Sequence, residues 1–191
     1  VNNTQYQIYK FDKANDKFVP AFPQIGKDIL YKLTSYAILE DTFGTLWFGT
    51  WANGLYAIDK ETGVKGTYLN TENVDKILHI HSITEYEPGK LLIGSNDGLT
   101  YFSTSPTIGN RREVHFNEPY ISNRFVYPIY KDREGGLWVG TYYGGINYAS
   151  PNRNYFMNYV HNRYENSISG NVISSFCEDK DGNLWIGTDD G

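Results

Sequence analysis

The sequence predicts an all-β protein built from repeated four-stranded antiparallel sheets, on three observations. The first is a strand written four times. Leu46-Trp47-Phe48-Gly49-Thr50 returns as Leu91-Leu92-Ile93-Gly94-Ser95, as Leu137-Trp138-Val139-Gly140-Thr141 and as Leu184-Trp185-Ile186-Gly187-Thr188. The glycines stand 45, 46 and 47 residues apart, a period that marks a repeat architecture. The second is a turn before each copy. Asp41-Thr42-Phe43-Gly44, Asp132-Arg133-Glu134-Gly135 and Asp179-Lys180-Asp181-Gly182 share one form. An Asp bonds the backbone two residues on, and a Gly accepts positive φ, so this spacing closes a hairpin. The third is composition: the segments around the motif are short, aromatic and β-branched, and bounded by Gly, Asn, Asp and Pro.

Within each unit the order is regular. An apolar run precedes the turn: Tyr36 to Leu39, Ile80 to Ile83, Phe125 to Tyr130 and Val172 to Phe176. The motif strand follows, then a loop ending at Gly54, Gly98, Gly145 or Gly191. A third run comes at Leu55 to Ile58, Leu99 to Phe102 and Ile146 to Tyr148, and a weaker fourth at Thr67 to Leu69, Val114 to Phe116 and Phe156 to Tyr159. Four strands in roughly 40–50 residues is the size of a propeller blade. Leu-Trp-Phe-Gly lacks polar alternation, as expected of a sheet covered on both faces. The Trp is expected in the wedge between blades, and the Gly where neighbouring backbones approach near the axis. The second unit has Tyr86-Glu87-Pro88-Gly89 for its turn and Leu92 for its Trp, so it should be the least regular. A β-sandwich would require four motifs to share their register by coincidence.

Ile8-Tyr9-Lys10-Phe11-Asp12 aligns with Leu55-Tyr56-Ala57-Ile58-Asp59. The expected division is therefore outer strands of a blade at 1–24, blades at 25–70, 71–117 and 118–160, and inner strands of a blade at 161–191. We expect a fragment of a larger propeller, an expectation strengthened by the start at Val1. The alternatives are closure of the two ends into a four-bladed ring and joining of two copies into one of eight. An open array would leave blade faces bare and inclined to associate, so a homodimer is possible.

Composition excludes some functions. The 191 residues carry 17 Lys and Arg against 22 Asp and Glu, a net charge of −5 with the signs interspersed. That is not the concentrated basic face nucleic acid requires, and the Arg111-Arg112 pair is too small to change it. Mean hydropathy is −0.51, and no run approaches the ~18 apolar residues of a membrane span. Nothing resembles a signal peptide, and the Asn2-Asn3-Thr4 triplet is given no weight. The one cysteine, Cys177, is expected to pack as a small buried hydrophobe.

No catalytic motif stands out, and no cofactor is implied. His79 and His81 lie two apart, on one side of a strand, but no third metal ligand is placed by sequence; they read as channel-facing residues. His115 and His161 suggest nothing further. Binding is better supported. The loop between second and third strands and the connector between blades share one rim of a propeller. That rim would carry Trp51, Asn53, Asn96, Asp97, Tyr120, Arg124, Tyr142, Tyr143 and Asp189. Aromatic faces beside amides and carboxylates suit a sugar, whose C–H face stacks while its hydroxyls hydrogen-bond. Trp51 and the tyrosines could instead tuck over the blade edge.

The string Glu-Asp-x-x-Gly-x-Leu-Trp-Ile-Gly-Thr-x-x-Gly-Gly-Leu resembles the repeat of the two-component regulator propeller family. Glu178 to Thr188, Glu40 to Leu55 and Asp132 to Gly145 carry the resemblance, and Glu165 to Val172 resembles the family's linker. The resemblance implies the periplasmic sensor region of an inner-membrane hybrid histidine kinase of Bacteroidetes type. Such sensors detect oligosaccharides released from polysaccharides and relay a conformational change to the kinase. The partners implied are an oligosaccharide, the remaining blades and downstream signalling domains. The alternatives are a propeller lyase or hydrolase using His79 and His81, and a protein-interaction platform.

Overall fold

The computed structural model describes residues 8–26, 29, 32–69, 78–104, 113–115, 121–152, 155–163 and 166–189. Among the described residues, sixteen strands form five antiparallel sheets. A two-stranded sheet comes first, β1 (Tyr9–Asp12) with β2 (Lys17–Pro20). Three four-stranded meanders follow. The first is β3 (Ser35–Glu40), β4 (Leu46–Thr50), β5 (Leu55–Asp59) and β6 (Gly63–Tyr68). The second is β7 (Ile80–Glu87), β8 (Lys90–Ser95), β9 (Gly98–Ser103) and β10 (Glu113–His115). The third is β11 (Val126–Lys131), β12 (Leu137–Thr141), β13 (Ile146–Ala149) and β14 (Met157–Tyr159). A two-stranded sheet, β15 (Ile173–Glu178) with β16 (Leu184–Thr188), comes last. These are propeller blades, and the motif strands are β4, β8, β12 and β16.

The Asp turn does more than close the hairpin. Asp41 Oδ1 accepts the N–H groups of Phe43 (3.0 Å) and Thr45 (2.9 Å), while Oδ2 accepts Trp47 Nε1–H (2.8 Å). Asp132 does the same for Gly136 (2.6 Å) and Trp138 (2.7 Å), and Asp179 for Asp181, Asn183 and Trp185, each at 2.9 Å. The six-residue spacing from Asp to Trp thus lets one carboxylate satisfy the turn and the indole together. Gly44, Gly135 and Gly182 hold the positive φ, 79°, 87° and 84°. The second blade lacks both partners, and there Glu85 Oε1 accepts the Gly89 N–H at 2.9 Å. Its β7–β8 pairing carries two register shifts, where the other inner pairs carry one each.

Packing runs between blades. One core joins Trp47, Leu55 and Ala57 of the first full blade to Ile80, Leu91, Ile93 and Phe102 of the second. Another joins Leu92 and Leu99 to Ile121, Val126, Ile129 and Val139. A third seats Phe22, Ile25 and Leu33 on Phe48, Tyr56 and Ile58, with Ile8 at its edge. Each fully buried side chain of this size contributes about 1.5–3 kcal/mol. Trp47 fills its wedge against Tyr68 (5.9 Å) and Phe102 (5.5 Å). The motif glycine admits the next blade's inner strand, chiefly its side chains rather than its backbone. A Cβ on Gly140 would lie 2.6 Å from Ile173 Cγ2, and one on Gly94 2.7 Å from Val126 Cγ1.

Polar links cross the same seams. The Thr42 N–H and hydroxyl donate to Glu85 Oε2 of the next blade, both at 2.9 Å. At the corresponding place Glu178 Oε2 accepts the Arg133 N–H (3.1 Å) and the Tyr130 hydroxyl (3.2 Å). Cys177 corrects one expectation: it is exposed, not buried. It faces Trp185 across the strand pair, and Trp185 is 64% exposed. Their counterparts Leu39 and Trp47 are covered by the second blade, whereas among the described residues no sheet packs over the face of β15 and β16 that carries Cys177 and Trp185.

Candidate functional site: an aromatic and imidazole rim

Each motif strand runs into a loop sewn to the inner strand of its own blade. The first loop residue donates its N–H to the residue just before that strand. The four bonds are Trp51 to the Thr34 carbonyl (3.0 Å), Asn96 to His79 (3.2 Å), Tyr142 to Phe125 (3.0 Å) and Asp189 to Val172 (3.0 Å). Trp51, Asn96, Tyr142 and Asp189 are therefore equivalent positions on one rim, beside the residues that lead into the inner strands. The hydroxyl after the motif glycine fixes the loop. Thr50 Oγ1 donates to the Gly54 carbonyl (2.8 Å) and Thr141 Oγ1 to Gly145 (2.9 Å), with Ser95 Oγ doing the same for Gly98 (3.1 Å).

A second device supplies the rings. The ladder of every inner strand slips by one residue opposite the motif glycine: Ser35 pairs Thr50 and Ala37 pairs Gly49, leaving Tyr36 extra. His81 is extra in β7 and Ser174 in β15, and Tyr127 with Pro128 spans the slip in β11. Such bulges re-aim a side chain. Here they build a continuous stack across three blades. Tyr36 lies 5.2 Å from Trp51; Trp51 stacks on His79 of the next blade at 3.8 Å and 22°. His79 meets His81 edge-on at 6.4 Å, and His81 stacks on Tyr127 of the third blade at 4.1 Å and 9°. Tyr127 continues to Tyr142 (5.5 Å), which meets Tyr143 edge-on at 4.3 Å.

Burial holds both imidazoles below their ordinary pKa, and at His81 the neighbouring His79 adds to the effect. The pair is therefore neutral at neutral pH. The Tyr142 phenol is raised, first by its hydrogen bond with Tyr143 and then by the charges around it, Asp189 included. Among the described residues no group of three or more His, Cys, Asp or Glu is placed to hold a metal ion.

The residues singled out from the sequence divide by role. Tyr142 and Tyr143 sit together, and Tyr143 is 68% exposed at φ 72°, a strained conformation for an aromatic residue. Trp51 is 44% exposed but has His79 on one face and Tyr36 beside it. Asn53 and Asn96 hold backbone: Asn53 Nδ2 donates to the Lys32 carbonyl (3.1 Å) and Asn96 Oδ1 accepts the His79 N–H (2.9 Å). Asp97, Arg124 and Asp189 are exposed, with the Arg124 guanidinium 4.9 Å from the Phe125 ring. Tyr120 lies outside the described residues, as do Asp190, the Arg111-Arg112 pair, the Asn2-Asn3-Thr4 triplet and the His115 side chain. The sequence reading missed Tyr36 and Tyr127 and gave His79 and His81 no part in the rim. A signal was present: Tyr36, His81, Tyr127 and Ser174 each stand 13 residues before a motif glycine.

The model of the two component regulator propeller family matches residues 33–52, 120–143 and 167–190. These three segments are similar to the repeat of that family. Solved structures agree on the fold. The extracellular domain of BT4673 from B. thetaiotaomicron, described as a hybrid two component system, superposes with a TM-score of 0.73 at 21% identity over 96% of this chain. The corresponding domain of BT3049 from the same organism gives 0.66 at 23% identity over 91%. The chain spans only 24% and 22% of those two structures. No curated protein matches.

Proposed function

We propose that this chain is part of the ligand-sensing region of a two-component signalling protein, and that it binds an oligosaccharide on its loop rim. The observation that carries the reading is the Tyr142–Tyr143 pair. It is an exposed aromatic corner, held at positive φ, at the end of a stack that crosses three blades. Strained loop residues on a rigid scaffold point to a function. Tyr143 offers a ring to the C–H face of a pyranose, and Asp189, Asp97 and Arg124 offer hydrogen-bonding groups on the same rim. The parent protein would place this rim in the periplasm, anchored in the inner membrane, with a kinase downstream. The ligand signals by binding one arrangement of blades or domains better than another.

The test is a tryptophan and tyrosine fluorescence titration against oligosaccharides from plant and host polysaccharides. A saturable change is expected for at least one glycan, weakened at least about tenfold by Tyr142→Ala combined with Tyr143→Ala. Unchanged affinity in that variant, for a glycan the parent binds, overturns the assignment.

A further inference from the structure

The stack of rings stops one blade short. The bulge residue is Tyr36 in the first full blade, His81 in the second and Tyr127 in the third, but Ser174 in the last sheet. Where the next ring would stand there is a cleft of about 320 Å³. Its walls include His81, Tyr127, Tyr130, Ser174, Ser175 and Phe176. Ligand cavities run from roughly 300 to 1,000 Å³, so this one suits a single six-membered ring rather than a chain.

We propose that this cleft is a seat for one pyranose unit, which takes the place of the missing ring. The inference rests on the reading of the chain as a glycan sensor and adds a subsite to it. Tyr127 and Phe176 give apolar faces. Ser174 and Ser175 are exposed wall residues that carry hydroxyls, His81 gives a ring nitrogen, and the Tyr130 hydroxyl, which donates to Glu178 Oε2, can still accept. Ser82, also in the wall, has a buried hydroxyl with no hydrogen-bond partner. A flat aromatic ligand would cover these polar groups and satisfy none of them, at a desolvation cost. A sugar ring satisfies both surfaces, because its C–H face meets the rings while its hydroxyls pair around the edge. The seat also has a route to the rim: His81 stacks on Tyr127, and Tyr127 leads to Tyr142. A glycan end in the cleft would therefore be continuous with a chain lying on the tyrosine pair.

The test uses monosaccharides, which are too short to need the rim. Saturation-transfer NMR is recorded on the whole chain with glucose, galactose, mannose, N-acetylglucosamine, fucose and xylose in turn. At least one is expected to bind in the millimolar range that a single ring supports. Ser174→Tyr supplies the missing ring and should weaken that binding at least about tenfold. It should keep the fold, since tyrosine already occupies this position in two other blades; circular dichroism checks this. Ser174→Ala combined with Ser175→Ala, which leaves the cavity open, should weaken binding about three- to tenfold. No binding of any of the six up to ~50 mM overturns the seat and leaves the rim reading standing, since longer glycans can still bind there. Unchanged affinity in Ser174→Tyr overturns it too.

Discussion

Asp41 shows how much of this fold turns on single side chains. Its carboxylate is 5% exposed and accepts two turn N–H groups and the indole N–H of a Trp that is itself 3% exposed. Removing it strands buried donors, and an unsatisfied buried group costs about 1–3 kcal/mol. Asp41→Ala is therefore expected to lower stability by about 2–4 kcal/mol in urea denaturation, with an unchanged slope. Asp41→Asn keeps one carbonyl acceptor and should cost about half as much. The same change at Asp179 should cost much less, because Trp185, the indole it holds, is open to water. The Trp185 hydrogen bond nonetheless holds the Asp179 carboxyl well below its usual range, ahead of the contribution of Asn183. The spacing of Asp, Gly and Trp was legible in the sequence as a turn and a wedge residue. The bond joining them was not, because a six-residue separation does not say which way an indole points.

At the scale of the strand, the inner strands matter most, since their bulges place the rim and their β-branched residues meet the motif glycines. A Cβ on Gly49 would fall inside contact distance of Ile80 Cγ2 and 3.0 Å from Ile80 Cβ. Ile80 is fully buried, so neither side can give way. Gly49→Ala is expected to destabilise by about 1–3 kcal/mol through overpacking. Ile80→Val leaves a methylene of space and should recover little, since the clash is with the branched carbon. Ile80→Ala removes Cγ2 and should relieve part of the strain, so Gly49→Ala with Ile80→Ala should cost less than the sum of the singles. A double-mutant cycle measures this, and simple additivity would show that the glycine is not needed for the close approach. Strand positions were legible because aromatic and β-branched runs alternate with turn residues. The bulges were hidden because a one-residue slip leaves the apolar pattern of the run intact. Only alignment of Tyr36, His81, Tyr127 and Ser174 between repeats reveals it.

For the molecule as a whole, the repeat period reports contacts that recur within each unit, and those gave the blades. It is silent on contacts between unlike residues of successive units. The stack from Trp51 to His79 and from His81 to Tyr127 is of that kind, so the rim residues it joins could not be paired from sequence. The environment of Cys177 was misjudged for the same reason: burial in this fold depends on whether another sheet lies over the blade, which no local pattern encodes. The two end sheets carry the consequence. Trp185 is 64% exposed on one, and Phe18, Tyr9 and Phe11 are 70%, 50% and 47% exposed on the other. Bare blade faces of this kind favour association, as uncapped repeats do. The chain studied alone should therefore show a mass that rises with concentration in light scattering. Trp185→Lys, whose ammonium can sit by Asp179, combined with Phe18→Lys should return it to a monomer of unchanged circular dichroism. Because Cys177 lies beside Trp185 on the same face, mild oxidation should cross-link the parent chain and leave that variant largely uncross-linked. A parent chain that stays monomeric at every concentration would mean these aromatic faces are held apart by the acidic net charge and do not drive assembly.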